Sequence, residues 1–287
     1  MKIVSYSLRD GNRYYGRIDG KEFFIGKRVS YLKNKGLRNL VGLTKDKYNR
    51  ADYRDKYGFW ADYLYPTAAC EGLFYHTLNT YDKAKFTFTF LQFAIHVPNG
   101  DFIQYFRELL KLPLAKEYFP DLCLEDDRIC KITDSEYKPL ESDTSTKLLQ
   151  KYFNPSSKQV EDIEIIQSAK MIHWVKNDPL HRDLQVEMGV QFFQKQMLNY
   201  AKRYNLDGVD DAICLVIADI RHQGRAKSIS IIKALNSKNP LNSLLNIGRA
   251  NYPNRVRTLR REINQLLKEN ILGIRKYSIS ESNFIMK

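Results

Sequence analysis

Glu71 lies in the run Ala68-Ala69-Cys70-Glu71-Gly72-Leu73-Phe74, where nearly every neighbour is apolar or small. Eleven positions on (82 − 71), Asp82 falls in the polar run Asn79-Thr80-Tyr81-Asp82, ahead of the alternating stretch Phe86-Thr87-Phe88-Thr89-Phe90-Leu91-Gln92. Two carboxyl groups in unlike settings are what glycoside hydrolysis uses. One protonates the leaving oxygen, and the other activates water or stabilises an oxocarbenium-like charge. Apolar neighbours disfavour the charged form of a carboxyl, which suits Glu71 to the proton donor's part. Asp82 reads as a turn residue, a setting in which aspartate also bonds its own backbone. Thr87 and Thr89 sit two apart in an alternating strand and project to one face. Asp82, Thr87 and Thr89 are all open as the group that meets the water.

The segment from Cys70 to Gln92 resembles the catalytic entry of the lysozyme-like superfamily, especially the T-even phage lysozymes. In those enzymes Glu-Gly-Leu on a helix is followed by an aspartate in a hairpin and a threonine opening a strand. A second likeness is Tyr252-Pro253-Asn254-Arg255, similar to the Pro-Asn-Arg helix start whose arginine approaches the catalytic acid. A third is His222-Gln223-Gly224, similar to the Gln-x-Gly turn of the far cleft wall. The three occur in family order between residues 60 and 270 or so. The interval from acid to aspartate is longer here, and Thr89 stands where the family pattern leads to glycine. The resemblance implies an α+β, lysozyme-like fold with a mostly helical body and a small β-hairpin lobe. It implies Glu71 as acid, Asp82 with Thr87 activating water with inversion, and Tyr81, Thr89, Gln92, His222, Gln223 and Arg255 as substrate contacts. The substrate would be the glycan strands of peptidoglycan, cut between N-acetylmuramic acid and N-acetylglucosamine, with no cofactor and no metal. Used as an injected toxin, such an enzyme would meet an immunity protein as inhibitor.

The 287 residues carry 46 Lys+Arg against 33 Asp+Glu, a formal net charge of +13, which favours a polyanionic partner over cationic chitosan. No helix-turn-helix, Walker or zinc-finger spacing points to a specific nucleic acid. A wall-binding or nucleic-acid-binding module without catalysis is the rival class. No run of about 18 apolar residues exists to span a membrane, and residues 1–10 lack the apolar stretch of a signal peptide. The expectation is a chain made in the cytoplasm that reaches the wall by lysis, secretion-machine delivery or uptake. Cys70 and Cys214 lie in apolar helical contexts. Cys123 and Cys130 flank a hairpin tip and could pair in an oxidising compartment. A Cys-His amidase centred on Cys70 lacks the usual surrounding signature.

These residues need elements to hold them. Asp10-Gly11-Asn12 and Asp19-Gly20 divide residues 1–35 into three strands, 2–8, 14–18 and 23–29. They form a β-rich extension or small module over residues 1–50, with the catalytic domain at 51–287. Pro66 fits the first turn of a helix over 68–78 that bears Glu71, and 80–92 reads as a hairpin. Asp101 caps a helix over 102–112, and 123–138 suggests another hairpin. Apolar spacing at i, i+3, i+4 predicts helices over 160–176, 184–204, 210–221, 229–235 and 255–267. Within the third, Asp219 and Arg221 could form a local ion pair.

Overall fold

The computed structural model describes residues 1–134 and 136–287; Ser135, inside the hairpin expected over 123–138, lies outside the described residues. About 45% of the chain is helix and 20% strand, a mixed α+β protein. Two compact units form, one of residues 1–48 with 72–188 and one of residues 49–71 with 189–287. The boundary drawn near residue 50 on sequence is therefore replaced by a discontinuous one, because the N-terminal strands hydrogen-bond with strands beyond residue 72.

In the first unit, seven antiparallel strands lie in chain order: β1 (Ser5–Arg9), β2 (Arg13–Ile18), β3 (Lys21–Tyr31), β4 (Asn34–Asn39), β5 (Leu78–Asn79), β6 (Thr87–Phe88) and β7 (Phe93–Ala94). The fourth strand escaped the sequence reading, and the separate hairpin over 80–92 is the far end of this same sheet. The link is β4 to β5, where Arg38 faces Asn79 and Asn39 faces Leu78. Asp19-Gly20 closes the β2–β3 hairpin with φ 50° and 75°, the left-handed pair that a two-residue turn demands. In β3 the register slips beside Tyr14 and Tyr15, leaving Ile25 as a bulge residue. A bulge inverts the alternation of faces beyond it, so Phe24 and Lys27 share one face although they are three apart. Gly16, Gly26 and Ile25 are buried, and Phe23 packs against His173 of the helix Asp162–Asn177. Behind the distal strands, Phe86, Phe102, Phe106 and Phe153 form a closed aromatic cluster with centroid spacings from 4.6 to 5.8 Å.

The second unit is helical, except for a terminal hairpin, Arg275–Ser278 with Asn283–Met286, that the sequence reading left out. Its helices Phe59–Glu71 and Pro253–Lys268 pack together, and Trp60, Tyr63, Phe193 and Phe284 make its aromatic core. The first of these corrects the helix expected over 68–78. It starts nine residues earlier (68 − 59) and stops at Glu71, because Gly72 and Leu73 take φ of 102° and 69°. Pro66 sits inside this helix, not in its first turn. The missing amide is tolerated because Trp60, Ala61, Tyr63, Leu64 and Ala68 are all buried, and tertiary packing outweighs one lost backbone bond. The other expected helices lie within a few residues of their predicted spans, at Asp162–Asn177, Pro179–Tyr204, Asp211–Gln223, Ser228–Leu235 and Pro253–Lys268. Asp101 is the first helical residue and not the cap, with Gly100 before it. Among the described residues, no helix is long and apolar enough to cross a membrane.

The β4–β5 junction gives a direct test. A Cβ on Gly36 would fall 2.5 Å from Thr80 Oγ1 and 2.7 Å from the Tyr81 backbone nitrogen. Backbone cannot yield as a flexible side chain would, so Gly36→Ala is expected to lower stability by about 1–3 kcal/mol. Urea denaturation checks it.

Candidate functional site

In the second unit, the helix Asp211–Gln223 runs through buried Ala212, Cys214, Leu215, Val216, Ile217, Ala218 and Ile220. Asp219 sits in that run and is fully buried. A charge so placed must be paired. Arg225, just beyond the left-handed Gly224 (φ 73°), turns back to place Nη1 2.6 Å from Asp219 Oδ2. From the other side, Arg255 Nη2 donates to Asp219 Oδ1 at 2.7 Å. Arg255 is set by Pro253 at the first turn of its helix, where the missing amide costs nothing. Its Nη1 donates to Glu71 Oε1 at 2.5 Å. Four charges thus alternate, Arg225–Asp219–Arg255–Glu71, with side-chain exposures of 0, 0, 9 and 20%. Only the Glu71 end reaches solvent.

The electrostatics follow this order. Burial opposes charge on Asp219, yet the guanidiniums of Arg255 and Arg225 outweigh it and hold the carboxyl below its ordinary range. Burial works against the Arg255 charge too, but Asp219 and Glu71 raise its affinity for the proton further still. Glu71 ends its helix, where the backbone dipole presents negative charge and a cation is favoured. The apolar surroundings expected for Glu71 are therefore replaced by an ion pair on one side. The expected Asp219–Arg221 pair does not form: Arg221 Nη1 reaches the Ala226 carbonyl at 3.5 Å.

Cys70, next to Glu71, donates from Sγ to the Arg255 carbonyl at 3.7 Å. Burial, followed by the Asp219 charge, pushes its thiol up to about 12, which disfavours the thiolate that amidase chemistry uses. His222 packs its ring on Phe193 and Phe192, 5.6 and 6.3 Å between centroids. Gln223 closes the helix, its Oε1 accepting from Arg225 Nη1 at 3.4 Å. Both are half-buried.

In the first unit, Asp82 sits in the β5–β6 turn, half-buried. Its Oδ1 accepts the Ala84 amide at 2.8 Å and its Oδ2 the Asn79 side-chain amide at 3.0 Å. The turn is itself pinned from below. Asn154 Nδ2 donates to the carbonyls of Thr80 and Lys85, at 3.0 and 2.8 Å. Thr80 Oγ1 takes the Leu37 amide at 2.6 Å and is hydrogen-bonded to Glu164. Glu164 is buried, and desolvation pushes its carboxyl up to about 7. Tyr81, beside Asp82, sets its ring edge on Tyr31 at 6.3 Å.

Thr87 is in β6 and 5% exposed. Thr89 departs from the expected strand. It has φ 86°, opens the β6–β7 turn, is wholly buried, and its hydroxyl accepts the Leu91 amide at 3.3 Å. The two threonines thus do not share a face, and Thr89 is corrected from substrate contact to turn support. Its backbone conformation is one that glycine takes without strain, at the one position where the family pattern leads to glycine. Gln92 ends the same turn at φ 59°, half-buried, its Nε2 3.4 Å from the Thr89 carbonyl.

Sequence reasoning missed Asp219's true partners, Arg225 among them, and the Asn154–Thr80–Glu164 support. The available signal was a lone aspartate inside an apolar helix run, followed by an arginine just past its glycine cap. Cys123 and Cys130 face each other across paired strands as free thiols. Among the described residues, no group of three or more His, Cys, Asp or Glu is placed to hold a metal ion. No family model, no curated protein and no solved structure matches this chain.

Two outcomes are expected. Arg255→Ala strips a partner from buried Asp219 and from Glu71, and stability should fall by about 3–5 kcal/mol. Arg260→Ala, which removes only exposed bonds to Asn242 and Asn246, should cost under about 0.5 kcal/mol. Denaturant titration of both proteins separates them.

Glu164 gives a pH signature. Its folded-state value lies above the unfolded one, so the stability it contributes is full below pH about 4.5 and is lost as pH rises through about 7. The loss is on the order of 3 kcal/mol. Glu164→Gln should flatten stability over that window, measured by urea midpoints at closely spaced pH.

Proposed function

We propose that this protein is a lysozyme-like muramidase, hydrolysing the N-acetylmuramic acid–N-acetylglucosamine bond of peptidoglycan. The observation that carries this reading is the Glu71–Arg255 ion pair, formed across 184 positions of sequence. The two partners are the residues that the family resemblance, made at two separate motifs, names as catalytic acid and its arginine. A coincidental match at either motif would not require them to touch.

In this reading Glu71 gives its proton to the glycosidic oxygen as the bond to the anomeric carbon breaks. Water adds to that carbon, losing a proton to Asp82, and the configuration inverts. Arg255 orients the Glu71 carboxyl through one oxygen and leaves Oε2 for the leaving group. Asp219 fixes Arg255, which would otherwise be free to swing with a long side chain's entropy. Asp82 has one bond at each oxygen from Ala84 and Asn79, and a carboxylate accepts more than one bond per oxygen, so a water can still be held. Thr87 assists with its hydroxyl. The chemistry is complete in protons and needs no cofactor.

The test is mass analysis of the muropeptides released from purified sacculi. Glu71→Gln should lower release at least about a hundredfold, the usual scale of general acid catalysis, while circular dichroism shows an intact fold. Asp82→Asn should abolish turnover but still sediment with sacculi, and Thr87→Ala should lose less. Wild-type activity in a folded Glu71→Gln protein, or products cut at an amide bond, would defeat the reading.

A further inference from the structure

One face of the N-terminal sheet carries an arrangement that folding alone does not favour. Arg9 faces Arg13, Arg13 faces Lys27, and Lys27 faces Arg38, in register across β1 to β4. Directly opposed like charges destabilise a sheet, and here four cations stand in one row. Arg9 is partly neutralised by Glu22, and Asp10 stands 3.9 Å from Arg13. Lys27 and Arg38 are exposed.

Three of the four, Arg13, Lys27 and Arg38, line a cavity of about 550 Å³ together with Tyr15 and Phe24, with Val29, Leu40 and Val41 adding aliphatic surface. Those two rings lie 5.4 Å apart, and Arg9 covers Tyr15 at 4.7 Å. The Ile25 bulge brings Phe24 to this face beside Lys27. Cations beside aromatic and aliphatic side chains fit a ligand that offers anions at its edge and flat carbon faces at its centre.

We propose that this row is a binding face for an anionic polysaccharide, whose phosphate or carboxylate groups meet Arg13, Lys27 and Arg38 while a sugar ring rests on Tyr15 and Phe24. Choosing a wall glycan over a nucleic acid rests on the muramidase reading. The same register continues from Arg38 to Asn79 and from Asn79 to Thr87, so the row runs on to the residues assigned to water activation. A polymer lying across the strands would be held by its charges and delivered along that line. Part of the +13 net charge thereby acquires a location and a purpose.

The experiment uses the full chain with Glu71→Gln, so that binding is read without hydrolysis. Sacculi bearing their phosphate polymers, sacculi stripped of them by hydrofluoric acid, and a single-stranded DNA 20-mer are each titrated from low to high salt. The triple change Arg13→Gln, Lys27→Gln, Arg38→Gln should weaken wall binding tenfold or more, and its log-affinity against log-salt slope should shrink by about 2. Loss on both wall samples assigns the anions to carboxylates, and loss only on unstripped walls assigns them to phosphates; either supports the proposal. Unchanged wall affinity in a folded triple variant overturns it, as does tighter binding of the DNA than of either wall. Release of muropeptides from soluble glycan oligomers by the protein with native Glu71 and an unaltered cation row is measured in parallel. No release there, with charge-dependent wall binding intact, would remove the muramidase reading and leave the binding face standing.

Discussion

A carboxylate cannot lie alone in an apolar helix, and Asp219 turns that constraint into architecture. The desolvation of its charge is offset only by two guanidiniums, one from the chain immediately after its own helix and one from the start of the helix Pro253–Lys268. Arg255 is thereby fixed, and its second face is left for Glu71. The position of the candidate acid is thus the last step of an electrostatic chain that begins in the core of the second unit. Replacing any inner member would strand a buried charge, and the remaining members could not re-form the same geometry.

The first unit solves a different problem with different means. Asp82 must stand in a turn between two strands of only two residues each, far too short to be stable as an isolated hairpin. Rigidity comes from outside the turn: Asn154 holds two of its carbonyls, Glu164 and Leu37 hold Thr80, and the four N-terminal strands extend the sheet on which it closes. Glycine at position 36 is part of this device, since β4 must pass the Thr80 backbone at contact distance. Buried Glu164 imposes a cost at neutral pH that a purely structural residue such as glutamine would avoid. Its presence ties the stability of this turn to pH.

The two faces of the sheet divide these tasks. One packs against the helix Asp162–Asn177 through Phe23, and the other carries the row of cations over the Tyr15–Phe24 pair. A single bulge at Ile25 keeps both faces consistent, because without it Phe24 and Lys27, three positions apart, would point to opposite faces. The like charges oppose one another in the free protein, and an anionic partner would relieve that opposition.

Local chemistry made much of this legible in the sequence. Hairpin turns at Asp10-Gly11 and Asp19-Gly20 follow from their residues' tolerance of positive φ, and five helices follow from apolar spacing and from Gly and Pro at their ends. The Pro-Asn-Arg start and the Gly224 cap also rest on interactions within a few residues, and so they needed no tertiary information. What the sequence could not determine were features whose energy comes from distant partners. The helix bearing Glu71 runs through Pro66 because buried Trp60, Tyr63 and Leu64 hold it, which overrides the local signal of proline. Thr87 and Thr89 alternate in sequence as strand neighbours do, yet turn closure at the sheet's end twists Thr89 into the left-handed region and buries it. Asp219 looked like the partner of its neighbour Arg221, but a 3.6-residue helical repeat turns those two side chains apart, and only the folded chain could bring Arg225 and Arg255 to it. The pairing of Glu71 with Arg255 across 184 positions was open to the sequence only through the family resemblance, because no local spacing rule reaches that far.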